Sequence, residues 1–192
     1  MARPKEFERD TALDDAIAIF CDHGFEGTST DALLGKMRIS RQSLYDTFGD
    51  KRRLYLEALQ RYIADSVANQ IATLNGPSSP LKGVQAVLLT MASTAAVAGA
   101  SGCMGIGATC EFGQSDAEVS GLIGASGRRL SSALERRLAE AKAKGETSKD
   151  VDPRAAAQFI QATITGMKVA ARGGATADTL RNIARMALRS LR

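Results

Sequence analysis

The chain has 192 residues, 44% hydrophobic and 24% charged, with a net charge of +4 and three cysteines. That suits one or two packed domains with no need of metal or disulfide staples, and the mild basic excess fits a polyanion partner only where it is concentrated. Cys21, Cys103 and Cys110 are odd in number and lack C-x-x-C or histidine spacing, which argues against a disulfide framework or a zinc site and favours a reducing cytoplasm. The opening "MARPKEFERD" is charged throughout and has no apolar run of a secretion signal.

In chain order, Leu13, Ala16, Ile17 and Phe20 recur at helical spacing, and "HGF" at 23–25 supplies a glycine stop. "TSTDALLGKM" then predicts a short second helix. Its clustered hydroxyls, with Asp31 three residues past Thr28, look like a capping box, and Leu33, Leu34 and Met37 form its apolar side. Ser40 is placed to cap a third helix, "RQSLYDTF", which Gly49 closes. A fourth opens at Asp50 and runs through Leu54, Leu59, Ile63 and Val67 to about Asn75, where "NGPSSP" reads as a linker.

Between Leu33 and Tyr62 seven basic residues (Lys36, Arg38, Arg41, Lys51, Arg52, Arg53, Arg61) face three acidic ones (Asp46, Asp50, Glu57), so the positive charge is local to this motif.

Beyond the linker the pattern stays helical, with no alternating strand-like runs, and the fold class is all-α. Gly83 to Cys110 carries no charge, yet it is mostly Ala, Gly, Ser and Thr, which bury little apolar area; it reads as a helix in a protein core rather than a membrane span. Asp152 and Pro153 start a later helix whose stripe is Phe159, Ile160, Thr163, Ile164 and Met167 and whose end is Gly173-Gly174. The last helix carries Leu180, Ile183, Ala184, Ala187, Leu188 and Leu191.

Two short helices joined by "RIS" form a helix-turn-helix, whose second helix presents its N-terminal side chains to base edges in the major groove. Arg41 suits guanine O6 and N7, Gln42 adenine N6 and N7, and Ser43 either base. Leu44 and Phe48, four apart, face the other way as anchors. Tyr45 and Lys51, with Thr28 and Ser40 at helix starts, suit phosphate contacts.

Residues from about Leu13 to Leu54 resemble the N-terminal domain of the TetR family of transcriptional regulators, on Phe20, "HGFEGTST", "ISRQSLYDTFGDK" and Leu54. The resemblance implies base reading by Arg41, Gln42 and Ser43 and phosphate holding by Tyr45 and Lys51. It departs at Arg38, where such turns usually have glycine, and Gly35 is unusual within the second helix. A left-handed Arg38 would be strained by about 1 kcal/mol.

The likeness continues more loosely to the C-terminus through "GCMGIGATCEFG" and "TITGMKVAARGG". It implies a DNA-binding domain at 1–52 and an effector-binding and dimerisation domain at 53–192, a homodimer on a pseudo-palindromic operator, and a small-molecule effector that releases it. Implied dimer residues are Phe159, Ile160, Ile164, Met167, Leu180, Ile183, Ala187 and Leu188, although the same stripe fits a monomer core. Around an implied cavity stand Met91, Cys103, Met104, Ile106 and Phe112, with Thr109 and Glu111 as polar orienters. The lack of charge there favours a neutral or weakly polar effector over a multiply charged one. Cys103 and Cys110, seven apart, would share one face of an unbroken helix, so a thiol- or electrophile-sensing regulator is one alternative. A helical interaction protein that no longer binds an operator is another. Neither a cofactor nor a metal is expected, and catalysis is not: His23 is the only histidine, there is no G-x-S-x-G elbow, and "GIG" at 105–107 lacks the third glycine of a dinucleotide loop.

Overall fold

The computed structural model describes residues 7–97 and 102–192. Among them are nine helices and no strand: α1 (Arg9–His23), α2 (Thr30–Met37), α3 (Arg41–Phe48), α4 (Lys51–Asn75), α5 (Pro80–Val97), α6 (Met104–Phe112), α7 (Ala117–Ala143), α8 (Pro153–Arg172) and α9 (Ala177–Arg189). The chain is all-α, as its periodicity predicts. The described part of the uncharged stretch holds two helices rather than one, because Gly102 and Cys103 are non-helical and α6 starts only at Met104. No described helix is long and apolar enough to cross a membrane.

The residues form two compact units, one of 7–64 with 102–123 and one of 65–97 with 124–192. In the first, Leu13, Ala16, Phe20, Leu33, Met37, Leu44, Phe48, Leu54 and Leu59 make a core to which α6 adds Met104 and Ala108. Side chains start its short helices. Ser29 caps α2 by accepting the Ala32 N–H at 3.1 Å, Ser40 caps α3 by accepting the Ser43 N–H at 3.0 Å, and Asp50 accepts the Arg53 N–H at 2.8 Å at the head of α4. The cap of α2 therefore falls one residue later than the sequence suggests. Thr28 is 1% exposed, and its hydroxyl donates to the Gly24 carbonyl at 2.6 Å.

Arg38 ends α2 in the left-handed region, φ 55° and ψ 42°, and its N–H and that of Ile39 both reach the Leu34 carbonyl. A β-carbon there costs about 1 kcal/mol relative to glycine. Arg38→Gly is accordingly expected to raise the melting temperature by a few degrees, measured by circular dichroism. If the exposed guanidinium also meets a phosphate, the same variant binds DNA more weakly while being more stable. Gly35 is exposed, and a β-carbon added there meets nothing within 4 Å, so it weakens α2 by about 1 kcal/mol relative to alanine without a packing reason.

The second unit is built on Leu74, Val84, Leu88, Leu134, Leu138, Leu180 and Ala184, with Ile160, Ile164 and Met167 from α8. Asp152 caps α8 by accepting the Ala155 N–H at 2.7 Å, and Thr176 caps α9 by accepting the Thr179 N–H at 3.2 Å. Five of the eight residues assigned to a dimer contact lie inside this core. Ile160, Ile164, Met167, Leu180 and Ala187 are at most 3% exposed inside this core, and Ile183 and Leu188 pack partly buried against it. Of the eight, Phe159 alone stands out, at 46% exposure.

Candidate nucleic-acid interface

An eight-residue helix has too few hydrogen bonds to stand alone, so α3 depends on its apolar side. Leu44 is fully buried and Phe48 is 5% exposed. Fixing that side turns Arg41, Gln42 and Tyr45 outward: all three are exposed, and Ser43 is half-buried. With Ser40 holding the Ser43 N–H, the first turn of α3 presents its remaining amides, a positive helix end suited to phosphate.

The side chains predicted to read bases have partners within the protein. Arg41 Nη2 donates to Asp31 Oδ1 at 2.6 Å, and Gln42 Nε2 donates to Asp46 Oδ1 at 2.8 Å. The hydroxyls of Ser40 and Ser43 lie 2.8 Å apart. Arg41 and Asp31 are 55% and 83% exposed, so their pairing contributes roughly 0–1 kcal/mol and gives way readily to a better acceptor.

Lys51 stands at the first position of α4, with its ammonium 4.2 Å from the centroid of the Phe25 ring. Its neighbour Arg52 is committed within the protein, to Asp116 and Glu118, both at 2.8 Å. Those carboxylates raise the guanidinium pKa, and Asp116 is held below the usual carboxylate range by Arg52 first and by the Val119 N–H next. Of the seven predicted DNA contacts, Ser40, Arg41, Gln42, Ser43 and Tyr45 thus gather on α3 and its cap, with Lys51 on the next helix. Thr28 is corrected, because its buried hydroxyl is spent on Gly24 and the exposed hydroxyl at the head of α2 belongs to Ser29.

The candidate effector residues are divided between the two units. Met91 lies partly buried against the core of the second unit, whereas the others belong to the first. Met104 is 1% exposed in that unit's core, and Phe112 belongs to an aromatic cluster, 5.7 Å from Phe25 and 5.6 Å from Tyr55. The Thr109 hydroxyl donates to the Gly105 carbonyl. Glu111 is taken up by the Phe25 and Glu26 amides. Cys103 is the N-cap of α6 with non-helical φ of −100°, so it shares no helix face with the exposed Cys110. The Tyr62 hydroxyl lies against the Cys103 thiol, and burial first, then that thiol, pushes the phenol pKa up. Two clefts of the second unit, about 450 Å³ beside Val151 and Phe159 and about 190 Å³ beside Leu81 and Arg185, are lined by none of the seven candidates. Sequence reasoning passed over Phe25 as a contributor to the interface. Its signal was position alone, an aromatic beside the glycine that stops α1.

Comparisons with known proteins bear on the same residues. Residues 12–58 match the model for bacterial regulatory proteins of the tetR family, and residues 80–187 match that for the tetracyclin repressor-like C-terminal domain. The transcriptional regulator YezE of Bacillus subtilis (strain 168) is 30% identical over 184 residues, 95% of each chain. The transcriptional repressor ComR of Escherichia coli (strain K12) is 30% identical over 192 residues, covering 97% of this chain and 90% of that protein. Among solved structures, a cysteine-substituted form of the TetR family regulator CifR bound to a 26-base-pair operator duplex is 28% identical, with a TM-score of 0.87 and full coverage of both chains. Matches to both halves, the first of which contains the outward-facing α3, leave one conclusion: the chain belongs to the tetR family of bacterial regulatory proteins.

Proposed function

We propose that this protein is a cytoplasmic, homodimeric DNA-binding repressor, without catalytic activity, that a small-molecule effector releases from a pseudo-palindromic operator. The observation that carries the reading is the orientation of α3: Arg41 and Gln42 are held outward by buried Leu44 and Phe48. The DNA complex of CifR and the repressor ComR supply the function class. One such helix reads only a few base pairs. Two copies related by a two-fold axis, with α3 helices about 34–36 Å apart, read both halves of a site on one face of the duplex.

The seam for that dimer is the outer side of α8. Phe159, Ala162, Gly166 and Val169 follow each other at helical spacing, all exposed and uncharged, with Phe159 at 46% and Val169 at 52% exposure. Met186 of α9, 61% exposed, adds to the apolar surface. Small residues at 162 and 166 let a second helix approach closely, and an uncovered stripe of this kind is what an isologous contact buries. Val169→Glu is expected to yield monomers in analytical ultracentrifugation and to weaken operator binding more than tenfold. Its helical circular dichroism should be unchanged, because the position is exposed.

Release follows from linkage. An effector shifts the protein off DNA only by binding the DNA-incompatible arrangement more tightly, and a hundredfold loss of operator affinity requires about 2.7 kcal/mol of such preference. The test of the whole reading is selection from a pool of randomised duplexes at physiological salt. Enrichment of an inverted repeat with half-sites one helical turn apart supports it. Recovery of no preferred sequence leaves the helical interaction protein as the better account.

A further inference from the structure

The C-terminal turn of α6 grips the loop between α1 and α2 in two ways. The Glu111 carboxylate accepts the Phe25 N–H at 2.9 Å through Oε2 and the Glu26 N–H at 3.3 Å through Oε1. Its neighbour Phe112 packs on the Phe25 ring at 5.7 Å between centroids. That same ring carries the Lys51 ammonium 4.2 Å from its centre. The loop is shaped to admit the carboxylate: Gly24 has φ of 72°, and a β-carbon there would overlap Glu111, with Cδ at 2.8 Å.

We propose that Glu111 is a positioning residue for DNA binding, its carboxylate fixing the Phe25–Glu26 backbone so that the Phe25 ring holds Lys51 where a phosphate is met. The proposal rests on the operator-binding reading above. Charge complementarity sets the grip, since two neighbouring backbone amides form a small anion-binding concavity and a carboxylate fills it with two charge-assisted hydrogen bonds. The ring then confines a flexible four-carbon lysine stem by cation–π attraction, which lowers the entropy lost when the ammonium reaches a phosphate. Removing the carboxylate frees the loop, and Lys51 loses its platform. Glu111 has no contact with DNA in this account.

The experiment measures affinity for the selected operator against salt concentration for the full-length wild type, Glu111→Ala, Glu111→Gln, Lys51→Ala and the Glu111→Ala/Lys51→Ala pair. Lys51→Ala is expected to weaken binding by about tenfold at low salt and to reduce the slope of log affinity against log salt by about 1. Glu111→Ala should reproduce both changes, and the pair should bind no more weakly than Lys51→Ala alone, because both variants remove one phosphate contact. Glu111→Gln, which keeps one acceptor oxygen, should fall between; it also keeps the test alive should the alanine variant fold poorly. Phe25→Leu, which leaves the amides in place and removes the ring face, should lower the slope as Lys51→Ala does. Glu111→Ala binding like wild type overturns the proposal alone, as does a loss that adds in full to that of Lys51→Ala with the slope unchanged. A wild type that prefers no sequence overturns the operator reading and this one with it.

Discussion

Leu44→Ala is expected to destabilise the protein by about 3 kcal/mol, within the 2–5 kcal/mol typical of deleting a buried leucine side chain, and to abolish operator binding at 37 °C. Leu44 has no exposed surface, and it ties α3 to the core made by Leu13, Phe20, Leu33 and Leu54. Part of the loss is transfer free energy and part is the cavity left beneath a helix of eight residues, which has few other contacts by which to settle. Urea unfolding monitored by circular dichroism measures the stability, with operator titration at 10 °C and 37 °C beside it. Gln42→Ala, one turn face away and exposed, should change stability by less than about 0.5 kcal/mol. The pair of variants separates holding α3 in place from reading with it.

Arg41→Ala and Lys51→Ala are expected to weaken binding in different ways. Arg41 offers a planar fork that matches guanine O6 and N7, so its loss should cost about 1–3 kcal/mol on the best operator and nearly nothing on a duplex altered at the contacted base pair. Preference relaxes at one position of each half-site and stays elsewhere. Lys51 offers a point charge, and its loss should weaken all sequences alike. The Asp31 carboxylate complicates the arithmetic slightly, because Arg41 leaves a 2.6 Å partner to reach DNA. Since Asp31 is 83% exposed, that exchange subtracts about 1 kcal/mol at most.

Helix boundaries were legible because each short helix carries its own punctuation. Ser40, Gly49, Asp50, Asp152 and Gly173 act where their residue types predict, through side-chain caps or helix ends. Where two hydroxyls stood side by side at 28 and 29, sequence could not choose between them. Burial decided it, drawing Thr28 inward to the Gly24 carbonyl and leaving Ser29 as the cap. The outward face of α3 was readable for the same reason as its anchor: with Leu44 and Phe48 inside, helical geometry sends Arg41, Gln42 and Tyr45 the other way.

The C-terminal half was less legible, since one apolar stripe cannot say whether it meets its own core or another copy. Ile160, Ile164 and Met167 are deeply buried in the monomer, and the exposed side is the blander run of Phe159, Ala162, Gly166 and Val169. Small residues score weakly on any hydrophobic pattern, although they suit close helix contacts. Glu111 was hidden for a different reason. Its partners are backbone amides 85 and 86 positions away, and backbone partners leave no trace in side-chain periodicity. Met104 and Phe112 look like adaptable cavity liners by residue type; Met104 is buried in the core of the first unit and Phe112 packs half-buried against it.

The most direct measurement of the central claim, that α3 reads bases through Arg41, is a double-mutant cycle on the selected operator. Each guanine of a half-site is replaced in turn by 7-deazaguanine, which lacks the N7 acceptor, and affinities are measured for wild type and Arg41→Ala. One position should show a coupling of about 1–3 kcal/mol, with the deazaguanine substitution costing the wild type affinity and the variant almost none. Equal losses for both proteins at every guanine would contradict it.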